Sequence, residues 1–163
     1  MNNMTEMAEE LDVKLLLATL MALKKGDFTA RMPSDWTGVS GKIADTLNDI
    51  IETKEKMVKA VTEVSRVVGR EGRLTQRASV PEVVGGWATI ISSVNTLIDD
   101  LVRPTTEMAR VIGAVAKGDL SQTMALEVDG HPLKGQYLRA AMTANTMVEQ
   151  LSSFSSEVTR VAR

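Results

Sequence analysis

Apolar residues recur every seven positions along most of this chain. Trp87, Val94, Leu101, Met108 and Val115 form one such series, and Ile90, Leu97, Pro104 and Val111 form a second, with Ile91, Ile98, Thr105 and Ile112 on its flank. Four heptads in unbroken phase are a coiled-coil signal and predict a helix from about residue 87 to 116. The same pattern holds in Ile43, Ile50, Met57 and Val64 with Leu47, Lys54, Val61 and Val68. It returns in Tyr137, Ala144, Leu151 and Val158 with Ala140, Met147, Phe154 and Val161. A weaker run through Val13, Leu16, Leu17, Leu20 and Leu23 predicts a shorter first helix. Between these runs, residues 27–39, 73–85 and 119–134 lose the period and contain Pro33, Pro81 and Pro132. They still keep isolated apolar side chains. A solvated loop has no use for those, whereas an extended segment lying along a helix pair would use them as anchors. Phe28, Met32, Leu74, Leu120 and Met124 are therefore expected to be buried.

The pattern repeats as a unit. Gly26, Gly72 and Gly118 stand 46 residues apart, and each closes a helical run. Behind them come Asp27-Phe28-Thr29, Arg73-Leu74-Thr75 and Asp119-Leu120-Ser121. A second landmark follows in each copy: Asn48, Asn95 and Asn145, at 22, 23 and 27 residues from the glycine. The third copy thus carries an insertion. Glycine takes the left-handed conformation that ends a helix, and Asp27 and Asp119 either cap a turn beyond it or are simply solvated.

Reach decides the direction of the chain. A connector of about 13 residues extends to roughly 40 Å, while a helix of about 15 residues is only about 22 Å long. An antiparallel hairpin would need only about 2–8 residues. The connector is thus long enough to run back and start the next helix parallel to the first. Two parallel helices cannot enclose a core, and their stripes call for two more from a second copy. The expected fold class is all-α: parallel, dimeric four-helix coiled-coil bundles stacked in tandem, with helices joined by extended connectors.

Composition narrows the chemistry. The 19 basic and 21 acidic residues leave a net charge of −2, without the basic face that nucleic acid requires. With no cysteine and one histidine, neither a thiolate nucleophile nor a zinc cluster is available. His131 lies in Asp129-Gly130-His131-Pro132, inside a connector, and reads as a solvated loop residue rather than a phosphoacceptor. No titratable constellation recurs, so no catalytic, cofactor-binding or metal-binding residue is expected. No apolar run approaches the roughly 20 residues of a spanning helix, and the acidic start at 1–10 is no signal peptide. A cytoplasmic location is expected. Ten methionines suit core filling better than an adaptable binding groove. Lys54 interrupts the stripe: it either sets register and weakens packing, or snorkels at the bundle edge.

Val115-Ala116-Lys117-Gly118-Asp119-Leu120 with Asn145-Thr146-Met147-Val148 resembles the HAMP domain, the relay module of sensor kinases and chemoreceptors. Glu63 to Gly72, followed by Gly85-Gly86-Trp87, is similar to the alternate unit of the long HAMP arrays found in hybrid histidine kinases. Pro104 stands where a proline commonly opens the first HAMP helix. The resemblance implies units at 1–62, 63–103 and 104–156, with 157–163 opening a fourth, since Glu157–Arg163 repeats the pattern of Glu63–Gly69. It implies a non-enzymatic signal relay in a two-component system. The partners would be a second, parallel copy and a downstream kinase or other effector of the same chain beyond Arg163. A static coiled-coil spacer is the rival reading, as is the relay of a chemoreceptor or cyclase. The implied structural and relay positions are Gly26, Asp27, Phe28, Met32, Asn48, Lys54, Gly72, Leu74, Asn95, Pro104, Gly118, Asp119, Leu120, Met124 and Asn145. The helix from Asn48 to Gly72 is 24 residues and that from Asn95 to Gly118 is 23. Such a step changes the phase of one stripe against the next.

Overall fold

The computed structural model describes residues 11–128 and 130–162. Residues 1–10, at the start of the expected first unit, lie outside the described residues, as do Asp129 and Arg163. Among the described residues the fold is all-α, with four helices: α1 (Val13–Lys24), α2 (Gly38–Gly69), α3 (Gly86–Ala116) and α4 (Gly135–Val161). The third connector adds a two-stranded antiparallel pair, β1 (Glu127–Val128) and β2 (His131–Pro132), in which Glu127 faces Pro132 and Val128 faces His131. This pair accounts for the insertion of the third copy. The described residues form two compact units divided between Asn95 and Thr96.

The helices start and stop where local chemistry tells them to. Asp12 caps α1, its carboxylate accepting from the backbone N–H groups of Lys14 and Leu15 at 3.0 Å each. At the other end Gly26 adopts φ +83°, its N–H reaching the Leu23 carbonyl, while Asp27 N–H reaches Ala22. Gly118 repeats this with φ +80° and bonds from its own N–H to Val115 and from Asp119 N–H to Ala114. A side chain at either position would be strained in that conformation. The start of α2 tolerates no side chain at Gly41 for another reason: a Cβ there would run into the Trp36 carbonyl. Pro104 lies inside the helix predicted over residues 87–116. As that pattern predicts, α3 runs through it unbroken, with Pro104 buried. The Thr105 hydroxyl donates to the Leu101 and Val102 carbonyls at 2.9 Å in the turn that lacks the proline N–H.

Helix direction follows the expectation. Leu16 and Leu20 of α1 share one groove with residues 39–50 of α2, while Phe28, just past α1, lies beside residues 54–62. Arg31 then meets Glu55, Met32 meets Asn48, and Trp36 meets Gly41. The connector runs back along α2, and α1 and α2 are parallel. The second unit shows the same order. Tyr137 at the start of α4 lies near Pro104, and Arg110 lies beside Gln122 and Thr123.

Two cores result. Met32, Ala44, Leu47 and Ile51 form one, with Leu15, Leu16, Leu23, Phe28 and Trp36 packed on it. Val111, Met124, Ala141, Ala144 and Val148 form the other, with Met108, Val115, Leu120 and Leu133 around it. Each places one connector methionine between helices, as anchoring predicted. Phe28 and Leu120 are only half-buried. Leu74 corrects the expectation outright, being 37% exposed. The second copy has Arg73 where the others have aspartate, and its connector leaves the helix by a different turn, in which Arg73 N–H bonds to Val67. Ala78 and Val80 are buried in its place. Replacing Met124 by Ala is expected to cost about 2–5 kcal/mol and lower the melting temperature clearly. Leu74→Ala should cost under about 1 kcal/mol, both read by thermal denaturation followed by circular dichroism.

Candidate functional site

The three landmark asparagines do the same thing. Asn48 accepts from the Met32 backbone N–H through Oδ1 at 2.8 Å and donates from Nδ2 to the Met32 carbonyl at 3.0 Å. Asn95 holds Ala78 in the same way, at 2.8 and 2.9 Å. Asn145 holds Met124 at 2.7 and 2.9 Å. Each carboxamide presents one acceptor and one donor side by side, as a neighbouring β-strand would. It therefore satisfies both polar groups of a connector residue that lies too deep for water to serve.

The gripped residue always stands six positions past the glycine: 26 and 32, 72 and 78, 118 and 124. The glycine ends the helix and the asparagine fixes where the returning chain sits, so each connector is pinned at one residue of register. From the gripped residue to its asparagine the gap is 16, 17 and 21 residues, which places the insertion of the third copy after the clamp, in the β1–β2 pair.

Asp27 and Asp119 take the capping role. Oδ1 of Asp27 accepts from the backbone N–H of Thr29 at 2.9 Å and from its hydroxyl at 2.6 Å. Asp119 treats Ser121 identically, at 3.0 and 2.6 Å. These hydrogen bonds hold both carboxylates below the ordinary aspartate range, the hydroxyl bond contributing most.

Lys54 sits at its heptad position with Nζ 5.3 Å from the centroid of the Trp87 ring. That separation allows a cation–π contact. The surrounding groove is apolar, lined by Phe28, Met57, Val61 and Ile90 among others. The lysine thus neither enters a core nor reaches clear of the helix pair. Among the described residues no group of three or more histidines and carboxylates is placed to hold a metal ion.

The helices carry two apolar faces, and the stripes read from the sequence miss much of the buried one: Ala44, Ile51, Ala141 and Val148 belong to none of the predicted series. Ala44, Leu47 and Ile51, and their counterparts Ala141, Ala144 and Val148, face the connector and are buried. Ile50, Leu97 and Met147, two residues past each asparagine, are expected core positions yet 39%, 59% and 38% exposed. One chain buries only the first face.

Asn48, Asn95 and Asn145 were legible as landmarks, but their partners were only half legible. Met32 and Met124 stand out as apolar, whereas Ala78 does not, although its 46-residue spacing from both would have found it. Arg31 and Arg110, which tie connectors to helices, gave no apolar or glycine signal and were missed.

Residues 82–149 match the family model for the HAMP domain. This segment is a HAMP domain. It contains α3, the third connector with its Asn145 clamp, and the first half of α4. A HAMP domain implies a signal-relay module, and a HAMP segment carries no catalytic activity itself. HAMP domains typically dimerise and usually sit on the cytoplasmic side of a membrane. Among the described residues no helix is long and apolar enough to cross a membrane.

The chain is also 29% identical over 119 residues to the DNA-directed RNA polymerase subunit beta′ of Bifidobacterium longum, in strains DJO10A and NCC 2705. That stretch is 72% of this chain but spans 9% of the length of the polymerase subunit, and it assigns no activity here. No solved structure matches the chain.

Two outcomes follow from the clamp and the caps. Asn145→Asp keeps the shape but loses the donor, and is expected to destabilise the chain by about 1–3 kcal/mol in urea denaturation. The depressed aspartates stabilise the folded state above their unfolded pKa of about 3.9, and that contribution is lost as pH falls through the folded value. The D27N/D119N double variant should therefore lose less stability than the parent between about pH 4 and pH 2, measured by melting temperature against pH.

Proposed function

We propose that the whole chain is a tandem relay of three HAMP units, 1–62, 63–103 and 104–156, with 157–163 opening a fourth. It works as a parallel homodimer on the cytoplasmic side of a membrane and passes a conformational signal to a downstream effector. A histidine kinase of a two-component system is the effector we favour over a chemoreceptor or cyclase output. The observation that carries the reading is the thrice-repeated clamp on fused helices. α2 receives the first connector through Asn48 and gives rise to the second at Gly72. α3 receives the second through Asn95 and gives rise to the third at Gly118. A helix shared in this way has no loop in which to absorb a displacement, so tilting or turning it in one unit moves it in the next.

The unburied apolar face supports the dimer. Ile50, Ile90, Leu97, Leu101, Met147 and Leu151 recur at coiled-coil spacing and stand exposed on a single chain. A parallel partner would cover the same residues of its own copy. The sequence lacks cysteine, which leaves a clean background for cross-linking. Leu97→Cys is expected to form a disulfide between copies under mild oxidation, and light scattering should give twice the chain mass. A folded monomer with no such disulfide would remove the dimer reading.

The relay itself is tested by helix phase. Seven residues make two helical turns, so seven inserted between Asn48 and Glu63 preserve the facing of the stripe, whereas one deleted residue rotates it by about 100°. In the full-length protein the deletion is expected to change effector output and the insertion largely to preserve it. Equal output from both would favour a static spacer.

A further inference from the structure

Helices α3 and α4 each open on an aromatic ring. Trp87 is the second residue of α3 and Tyr137 the third of α4, and each stands eight residues before its clamp asparagine. Trp87 lines two grooves against α2, one with Thr53 and Lys56 and the other with Lys54 and Val61. Tyr137 lines a groove against α3 with Asp100, Arg103 and Pro104. Both rings therefore lie on the preceding helix just past that helix's own clamp, Asn48 or Asn95. That stretch is where one repeat hands over to the next.

At the first of these junctions a third element arrives. Phe28 stands two residues past Gly26, beyond the end of α1, and packs on the first core. It lines the same groove as Lys54 and Trp87. Thus α1 ends where α3 begins, and both meet on one stretch of α2. The Lys54 Nζ lies 5.3 Å from the centroid of the Trp87 ring. A ring quadrupole attracts an ammonium to its face, so this contact orients the ring, which apolar contact, having no direction, does not. The aliphatic stem of the lysine meanwhile gives the groove an apolar wall.

We propose that Phe28, Lys54 and Trp87 form a joint that couples α1 to α3 across the first junction. Helix α2 is shared by two repeats, but α1 belongs to the first alone and α3 enters at the second. The joint gives a displacement of α1 a path of its own. Phe28 moves with the end of α1 and presses on the ring that Lys54 holds, and α3 is turned at its first turn. All three are positioning residues. The joint also accounts for a lysine within an apolar stripe: leucine there would fill the groove without orienting the ring. The proposal deepens the relay reading and rests on it.

Amide hydrogen exchange tests it in the whole chain, without stimulus or effector. The Ala78 N–H, held by Asn95 at 2.8 Å, reports on the second clamp. Leu23→Ala loosens α1 on the first core and is expected to speed exchange at Ala78 by roughly tenfold. In Trp87→Leu, and separately in Phe28→Leu, the same substitution should speed it less than about twofold. Lys54→Met, which keeps the stem and removes the charge, should give a factor between the two. A merely structural Trp87 would raise the baseline rate at Ala78 and leave the Leu23→Ala factor where it was. Phe28 lies outside the second repeat, so Phe28→Leu carries the test if Trp87→Leu does not fold. A factor unmoved by these substitutions would overturn the joint alone and leave α2 to carry the signal. No acceleration at Ala78 in the parent would overturn the relay reading and the joint with it.

Discussion

Two helices joined in sequence yet running parallel impose one constraint on everything else: the chain between them must travel back along their length. That returning chain carries backbone N–H and C=O groups into an apolar groove, and each one left without a partner would cost free energy comparable to a lost hydrogen bond. The asparagine clamp resolves this at the deepest point. A single carboxamide supplies the two bonds a β-strand would have supplied, without needing a strand. Because the bonds grip one residue, they also choose which connector side chain points inward. Met32 and Met124 fill the groove for that reason.

The same constraint explains why the helices approach through a connector rather than face to face. Ala44, Leu47, Ala141 and Ala144 leave room for it. Consuming one apolar face in this way leaves the other unsatisfied on a single chain, so Ile50, Leu97 and Met147 remain exposed. The burial that a lone chain achieves and the burial it still lacks are consequences of one geometry.

Within that geometry the repeats diverge where they are not gripped. Each keeps its glycine and its asparagine, but the second has Arg73 in place of an aspartate and its connector leaves the helix by a different turn. The third takes an insertion as a β pair beyond its clamp. Lys54 interrupts the apolar stripe without entering a core, its ammonium 5.3 Å from the Trp87 ring, close enough for a cation–π contact. Variation is thus absorbed by turns and edges, and the clamp is left alone.

Periodicity determined much of this protein by itself. The seven-residue stripes set α2, α3 and α4 nearly to the residue, because helical spacing is a local property written in which side chains are apolar. The 46-residue glycine interval exposed the repeat, and connector length against helix length set the parallel direction, since reach is a matter of arithmetic. Asn48, Asn95 and Asn145 could be seen to recur, but their purpose could not. A hydrogen bond spanning 16 to 21 residues depends on where the returning chain lies, and no local pattern encodes that. The same holds for Leu74, apolar yet exposed, and for Ala78, inconspicuous yet gripped. It holds for the face that meets the connector, where the buried Ala44, Ile51, Ala141 and Val148 lie outside the predicted stripes. A heptad says only that a residue faces something. Which face is filled from within the chain is decided when the connector folds back, because only then does one side of the helix acquire a neighbour.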